Sequence, residues 1–372
     1  MIRMPRAVVY VDMGALEENY RAVRDFLPSQ VKVLGVVKAD AYGHGAVETA
    51  RRLEEKDIDY LGVATIDEGI ELRESNIGLP ILVMSGLFPW DDIGPVIRNR
   101  LTPVVHDFAT LERISEESRR FEESLNIHLK VDTGMGRLGF SPDDCSFLAE
   151  RVKETDGVVV EGFMSHFSSS ETRDEIGMKQ IDIFNRALDT LREGGVEPEI
   201  VHMANSGALT TYPEAYFSMV RVGINLYGSY SGKESTGKIP LRQVMKFASR
   251  IAFLRDFPEG VPLSYGGTYT TKKHTRIAYV PVGYADGYPR VLSNKGEVLI
   301  HDRRCAIVGR ICMDWLLADV TYLEDVEMGD EVTILGHGET QVITADEIAG
   351  NAGTIPYEVL CNISKRVMRV YV

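Results

Sequence analysis

Eight short, continuously apolar segments alternate with stretches of helical periodicity over the first 223 residues of the chain. Each segment has the length of a strand, and the lack of strict apolar–polar alternation indicates burial on both faces. The stretches between them, such as residues 45–57 and 177–195, have the pattern of amphipathic helices. The apolar segments lie at residues 31–38, 60–65, 80–85, 101–105, 127–131, 158–164, 199–204 and 216–223.

This alternation predicts an α/β fold in which eight β/α units form a (β/α)8 barrel of the TIM type. An open, doubly wound sheet has a similar periodicity and is the alternative. After about residue 240, β-rich segments with Gly, Pro and Asp turns replace the helical pattern. We therefore expect a barrel domain over residues 1–240 and a separate, mostly β domain over residues 241–372. The strand at residues 7–14 precedes the barrel and is a candidate to pair with the C-terminal domain.

Charge and composition restrict the partners that we expect. The 372-residue chain has a formal net charge of -14, which argues against nucleic acid and membrane as partners because both need a basic surface. No run of about 18 apolar residues predicts a membrane span. The N-terminal segment lacks the apolar core of a signal peptide, and four isolated cysteines suit a reducing compartment, so we expect a cytoplasmic location. Cysteine and histidine spacings give no reason to expect a metal.

Polar side chains stand where the predicted barrel strands end. Lys38 ends the first apolar segment, Arg137 follows the fifth, His166 follows the sixth, Ser206 follows the seventh and Arg221 lies in the eighth. In a barrel, the loops at these strand ends build the active site. A packing face would not carry this set of side chains, so the sequence predicts an active site at this end of the barrel.

Lys38 and two glycine-containing loops suggest which chemistry that site performs. A lysine that leaves an apolar strand is partly desolvated, which lowers its pKa and favours the neutral, nucleophilic amine. The alternative is a strand-end lysine that extends its amine into solvent. The loops at residues 205–208 and 221–228 offer backbone N–H groups that suit a phosphate, and Tyr42 adds a hydroxyl.

Eight segments together resemble, in order, the motifs of bacterial alanine racemases, which are pyridoxal 5′-phosphate (PLP) enzymes of fold type III. The resemblance extends over essentially the whole chain, and it implies a homodimer with active sites shared between subunits. It also implies PLP as cofactor and the interconversion of L-alanine and D-alanine by two bases, which supplies D-alanine for peptidoglycan. The segments are VVKADAYGHGA (36–46), HLKVDTGMGRLGF (128–140), MSHFSSS (164–170), MANSGA (203–208), VRVGINLYG (220–228), SYGGTYT (264–270), VPVGYADGYPR (280–290) and GRICMDW (309–315).

The resemblance implies a role for each matching residue. Lys38 would bind PLP covalently and act as one catalytic base, and Tyr265 of the β domain would be the other, reaching into the barrel of a second subunit. Arg137 and the backbone of Met313 would bind the substrate carboxylate, and Lys130 is a candidate for carbamylation. The residues implied to bind the cofactor are Lys38, Tyr42, His166, Asn205, Ser206, Arg221, Gly223, Ile224 and Tyr357. The residues implied to support the site are Lys130, Tyr284, Arg290, Arg310 and Asp314.

Elementary chemistry is consistent with these roles. Racemisation needs a base on each face of a planar Cα, so that the proton leaves one face and returns to the other. Lysine and tyrosine both have ordinary pKa values of about 10, so the site must lower both. An arginine such as Arg221 does not readily give its proton to the pyridine nitrogen, because its pKa exceeds ~12. The ring is then a weaker electron sink than with an acidic partner, which favours return of the proton to Cα.

The sequence leaves several alternatives open. A racemase of the same fold could act on serine or a larger amino acid, and Trp315 bears on this because many family members have a smaller or amide residue there. A PLP decarboxylase of the same domain plan would place an acidic residue where Arg221 stands. A non-catalytic PLP carrier would consist of a lone barrel. Without the resemblance, the sequence favours Tyr265 as a turn residue and Trp315 as a packing residue. The seven histidines other than His166 are predicted not to be catalytic.

Overall fold

The computed structural model describes residues 5–372, and its elements follow one another as below. Strands β1 to β9 are Ala7–Val11, Lys32–Val36, Tyr60–Val63, Ile81–Val83, Thr102–Val105, Leu125–Lys130, Val158–Met164, Ile200–His202 and Met219–Val222. Strands β10 to β20 are Met245–Arg250, Phe253–Phe257, Pro262–Leu263, Tyr269–Thr270, Thr275–Val280, Glu297–Ile300, Arg303–Ala306, Leu316–Asp319, Glu331–His337, Val342–Ile343 and Met368–Tyr371. Helices α1 to α11 are Met13–Phe26, Lys38–Gly43, Ala46–Glu54, Ile66–Glu74, Gly94–Arg98, Phe108–Phe121, Cys145–Lys153, Glu175–Glu193, Ala208–Thr211, Ala345–Ala352 and Pro356–Cys361.

Strands β2 to β9 form one parallel sheet in chain order, with β9 paired to β2. Hydrogen bonds between β8 and β9 close this sheet into a barrel. The N–H of Ser218 donates to the carbonyl of Val201 at 3.0 Å, and the N–H of Arg221 donates to the carbonyl of Ala204 at 3.0 Å. The predicted (β/α)8 barrel is confirmed, and the open doubly wound sheet is wrong. Each apolar segment overlaps one of these strands, because the strands are covered on both faces.

The helices between the barrel strands begin at side-chain caps that the sequence encodes. Asp107 accepts a hydrogen bond from the N–H of Thr110 at the start of α6, and Asp174 caps α8 in the same way. Thr65 and Glu68 form a capping box at the start of α4. Such caps satisfy backbone N–H groups that have no partner in the first helical turn. The predicted helices at residues 45–57 and 177–195 correspond to α3 and α8.

The C-terminal part is mostly β, as predicted. Its main sheet has the order β16-β15-β18-β10-β1-β20 with β19 paired to β18, and a second sheet has the order β11-β14-β17. The N-terminal strand β1 lies antiparallel to β10 and parallel to β20. The boundary expected after residue 240 falls between β9 and β10. Helices α10 and α11 follow β19 and were not predicted from the sequence pattern. No helix within residues 5–372 has the length and apolar character needed to cross a membrane.

Candidate active site

Lys38 begins a turn of unusual backbone conformation at the carboxyl end of β2. Residues 39–42 all have φ between 52° and 54°, in the left-handed region that costs a non-glycine residue about 1–2 kcal/mol. The carboxylate of Glu68 holds this turn, since it accepts hydrogen bonds from the N–H of Ala39 at 2.7 Å and of Ala64 at 2.6 Å. Contacts outside the turn therefore stabilise the backbone that positions Lys38.

The surroundings of Lys38 favour its neutral amine. Burial lowers the pKa of Lys38, and the positive charges of Arg137 and Arg221 lower it further, whereas Glu68 acts in the opposite direction. A lysine with a lowered pKa has a larger share of the free amine near neutral pH, and the free amine is the form that attacks a carbonyl carbon. The structure thus supports the prediction that Lys38 is a nucleophile more strongly than the alternative of a solvated strand-end lysine.

Arg221 lies inside the barrel and donates hydrogen bonds to neutral acceptors. Its Nη2 donates to the Nδ1 of His166 at 2.9 Å, and its Nη1 donates to the Nδ1 of His202 at 3.1 Å. Burial lowers the pKa of Arg221 to about 9, so it still carries its charge at neutral pH. Burial, followed by the charge of Arg221, lowers the pKa of His166 well below its ordinary value. The ring of His166 is therefore neutral. The other acceptors are the backbone carbonyls of Ser165, His202 and Met203.

The loops after β8 and β9 form a narrow cradle of small residues. Ser206 accepts a hydrogen bond from the N–H of Gly223 at 2.8 Å, so its own proton is free to donate elsewhere. A Cβ at Gly223 would lie 2.6 Å from the hydroxyl of Tyr42, so any side chain there would displace this buried ring. The rings of Tyr42 and Tyr357 lie 5.7 Å apart. Ile224 is buried and begins the turn that follows.

Asn205 has a local structural role in this cradle. Its side-chain oxygen accepts a hydrogen bond from the N–H of Ala208 at 3.0 Å and so caps the short helix α9. Its backbone carbonyl also accepts from the N–H of Leu209. Asn205 therefore shapes the loop that presents Ser206.

Four basic side chains gather on the side of the site near β6. Lys130 is 4% exposed at the end of β6, and its pKa falls to about 8 because of burial and of repulsion by Arg221 and Arg137. Lys38 adds to this repulsion. Arg137 is exposed, in a loop whose N–H groups at Gly134, Met135 and Gly136 are held by the carboxylate of Asp132. Such a concentration of positive charge suits an anionic ligand.

Tyr265 lies on the C-terminal domain, 68% exposed, in the turn between β12 and β13. It lines an open pocket of about 820 Å³ whose lining residues all lie between 253 and 317. The guanidinium of Arg310 lies beside this turn, since a Cβ at Gly266 would be 3.0 Å from Arg310 Nη1. Ser264 also donates to the carbonyl of Arg310 at 2.5 Å. Trp315 lines the same pocket, with its ring 5.9 Å from that of Phe253.

Two loops next to this pocket hold the other predicted residues of the C-terminal domain. The N–H of Tyr284 donates to the carbonyl of Cys312 at 3.1 Å, and the N–H of Ala285 donates to that of Met313 at 3.1 Å. Met313 is 52% exposed. Asp314 forms an ion pair with Arg366.

Arg290 is an exposed residue whose turn is tied to the Arg310 loop through Ser293. The hydroxyl of Ser293 donates to the carbonyl of Arg290 at 2.6 Å and accepts from the N–H of Ile311 at 3.1 Å. The turn at Arg290 and the loop at Arg310 are therefore one connected unit beside Tyr265.

Comparison with known proteins decides the family. Family models described as "Alanine racemase, N-terminal domain" and "Alanine racemase, C-terminal domain" match residues 11–231 and 244–371. The chain belongs to the alanine racemase family. "Alanine racemase 2" of Caldanaerobacter subterraneus subsp. tengcongensis is 42% identical over 98% of this chain and 94% of its own length. Alanine racemase of Halothermothrix orenii is 40% identical over 97% of this chain and 95% of its own length.

Solved alanine racemases share the whole fold. The structure from Clostridium difficile 630 superposes with a TM-score of 0.94 at 39% identity and covers 100% of this chain and 97% of its own. The structure from Bartonella henselae, with covalently bound pyridoxal phosphate, gives a TM-score of 0.90 at 28% identity and covers 99% of this chain and 100% of its own. The match includes both domains, so a lone-barrel protein is excluded.

The residues of this alanine racemase family member fit PLP on two counts. Lys38 has a lowered pKa, as covalent attachment to an aldehyde requires. The Ser206–Gly223 cradle has a hydroxyl proton and small residues available to a phosphate. The decarboxylase alternative calls for an acidic residue at position 221, and the arginine found there argues against it. Within residues 5–372, no three metal-ligating side chains are grouped.

The structure brings together some of the predicted residues and leaves others apart. One chain gathers Lys38, Lys130, His166 and Arg221 at the barrel, whereas Tyr265 belongs to a pocket built only from the C-terminal domain. Three structural contributors were not predicted from the sequence: Glu68, Asp286 and Arg366. The spacing of Thr65 and Glu68 is typical of a capping box, and this signal could have indicated a structural role for Glu68. Asp286 is fully buried and bonds Arg366, and no sequence pattern indicates this contact.

Proposed function

We propose that this chain is a PLP-dependent racemase that interconverts L-alanine and D-alanine with two bases, and that it supplies D-alanine for peptidoglycan. The observation that carries the proposal is the position of Lys38 beside Arg137 and Arg221, at the carboxyl end of a barrel of this family. The four cysteines are all free thiols, which supports a reducing compartment, and we propose the cytoplasm.

Two groups of this chain move the α-proton in the proposed reaction. PLP would be held by Lys38 until the substrate amine takes the place of the lysine on the cofactor's aldehyde carbon, which frees the amine of Lys38, and the cofactor would then withdraw electrons from Cα and make its proton acidic. The amine of Lys38 takes or returns the proton on one face, and the hydroxyl of Tyr265 does so on the other. The guanidinium of Arg310 lies beside the turn that carries Tyr265.

Arg221 is proposed to face the pyridine nitrogen and to keep it unprotonated. Its pKa of about 9 leaves the guanidinium charged at neutral pH, so it donates a hydrogen bond without giving up its proton readily. The neutral ring of His166 holds one side of the guanidinium at 2.9 Å. This arrangement favours return of the proton to Cα over side reactions of the cofactor.

Ser206→Ala is expected to weaken cofactor binding about tenfold, because it removes one charge-assisted hydrogen bond to the phosphate. Equilibrium titration of the apoprotein with PLP measures this change. Ser218→Ala is the matched control, since Ser218 accepts from the N–H of Val201 within β8, outside the loop that carries Ser206. Equal PLP affinities for the two variants would show that Ser206 does not bind the phosphate.

A second copy of the chain completes the proposed site. Tyr265 and Met313 are exposed, and the pocket that Tyr265 lines contains no barrel residue. We therefore infer a homodimer in which Tyr265 of one chain meets Lys38 of the other. In that assembly the backbone N–H of Met313 and the guanidinium of Arg137 are available to the substrate carboxylate. Trp315 adds bulk to the pocket, which supports alanine over larger substrates.

Lys130 is proposed to react with CO₂ and give Arg137 an anionic partner. Carbamate forms from a neutral amine, so its amount should rise as the pH passes through the pKa of Lys130, about 8. NMR of protein kept in isotope-labelled CO₂ should show a carbamate signal that is stronger above this pH than below it. Lys130→Arg should abolish the signal. A signal that persists in the arginine variant would place the carbamate elsewhere.

The experiment that tests the proposed function is a panel of L-amino acids assayed for loss of optical activity with PLP present. L-alanine should lose its rotation fully, as both enantiomers reach equal concentration, and L-serine and larger amino acids should react more slowly. Retention of the α-proton of alanine in deuterated water by the PLP-loaded protein would refute the proposal.

A further inference from the structure

A line of hydrogen bonds runs through the barrel interior from Arg221 to Glu161. Arg221 Nη1 lies 3.1 Å from His202 Nδ1, and His202 Nε2 lies 2.8 Å from His128 Nδ1. His128 Nε2 lies 3.3 Å from Glu161 Oε2. Both imidazoles are fully buried, whereas the side chain of Glu161 retains 21% of its exposure. These four side chains connect the arginine of the active site to a carboxylate near the surface.

One arrangement of protons satisfies every bond in this line. Arg221 can only donate, so the Nδ1 of His202 accepts and His202 carries its proton on Nε2. The Nδ1 of His128 then accepts that proton's hydrogen bond, and the Nε2–H of His128 donates to the carboxylate of Glu161. Burial lowers the pKa of both histidines, which keeps the two rings neutral. All N–H bonds of the line therefore point from Arg221 toward Glu161.

The backbone makes room for this line. A Cβ at residue 162 would lie 2.5 Å from the ring of His128, so the glycine there allows the ring to cross the neighbouring strand. The pairing of β6 with β7 shifts register between Ile127 and His128, which redirects the His128 side chain. Tyr60 also donates to the same Glu161 oxygen, at 2.9 Å.

We propose that Glu161 is a positioning residue for Arg221, acting through His128 and His202. The carboxylate fixes which nitrogen of each ring is protonated, and this presents an acceptor to the guanidinium. The inference rests on the proposed function, in which Arg221 faces the pyridine nitrogen. Every other partner of Arg221 in residues 5–372 is neutral, so Glu161 is the anion to which its charge is connected.

The chemical consequence is control of a side reaction. A guanidinium that loses its fixed acceptor moves more freely and allows a proton to reach the pyridine nitrogen, which strengthens the ring as an electron sink. The proton then fails more often to return to Cα, and in those events alanine and PLP become pyruvate and pyridoxamine phosphate. Glu161 thus favours racemisation over this transamination without touching the substrate.

Imidazole nitrogen NMR of the histidine-labelled full-length protein tests the line, with or without PLP. The signals of His128 and His202 are assigned from variants that lack each ring. Both rings should be neutral and protonated on Nε2 alone. A proton on Nδ1 of either ring, or a doubly protonated ring, would overturn the proposal. This measurement does not depend on activity, so its outcome is independent of the proposed function.

Glu161→Gln tests the role in the reaction, with Tyr60→Phe as the matched control. The amide can donate or accept, so Nδ1-protonated forms of His128 and His202 should appear. The amount of PLP converted to pyridoxamine phosphate for each racemisation event should rise about tenfold. Tyr60→Phe removes a hydrogen bond to the same carboxylate but keeps its charge, so both readouts should stay as in the wild type. Equal conversion in the two variants would overturn the positioning role, whatever the tautomers. Loss of racemisation in the wild type would instead refute the proposed function.

Discussion

Lys38→Ala is expected to lower the rate of alanine racemisation roughly 10⁴-fold or more. In the proposed reaction the variant loses both the amine that would attach the cofactor and one of the two bases, and a positioned base alone contributes up to about 10⁴-fold. The purified wild-type protein should be yellow, and borohydride should fix the cofactor to the peptide that contains Lys38. Rates of racemisation and peptide mass spectrometry measure the two effects.

The control for this variant is Lys179→Ala, at an exposed position on α8. It should keep the colour, the cofactor and the wild-type rate. A Lys38→Ala protein that racemised alanine as fast as the control would contradict the assignment, and so would fixation of PLP to another lysine.

Tyr265→Phe is expected to leave PLP bound and to slow α-proton exchange about 10²–10⁴-fold for one enantiomer only. The hydroxyl is proposed to serve one face of Cα, so the other enantiomer still exchanges its proton through Lys38. Deuterium incorporation from heavy water, measured separately from L-alanine and D-alanine before racemisation, gives both rates.

Tyr269→Phe is the control for Tyr265→Phe, since Tyr269 begins β13 just after the Tyr265 turn. It should change neither rate. An equal loss of exchange for both enantiomers in Tyr265→Phe would contradict the two-base reaction, because a one-face role cannot affect both.

The barrel was predictable from the sequence because burial on both faces leaves a strong apolar signal. All eight segments overlap a strand, although the edges differ: residues 216–223 were expected, and β9 is Met219–Val222. The short helices α10 and α11 escaped prediction because segments of this length have little room for periodicity. The sequence suggested that the first strand pairs with the C-terminal domain. It did not indicate β10 and β20 as the partners of β1, because these strands lie far from β1 in sequence.

The site was less predictable than the fold. The left-handed backbone at residues 39–42 contains no glycine, so no local signal indicates it, and Glu68 stabilises it from another strand end. The histidines at 128 and 202 were expected to have no catalytic part, and their link to Arg221 depends on the register of β6, β7 and β8. The motif resemblance implied roles for Lys38 and Tyr265, but the pocket that Tyr265 lines contains no residue of the barrel.

The measurement that tests the central claim most directly uses hybrid dimers of Lys38→Ala and Tyr265→Phe chains. Coexpression with two affinity tags allows purification of dimers that contain one chain of each kind. If each site takes Lys38 from one chain and Tyr265 from the other, one site per hybrid has both bases, and about half of the wild-type activity should return. Hybrids as inactive as the two parent variants would contradict an active site shared between chains.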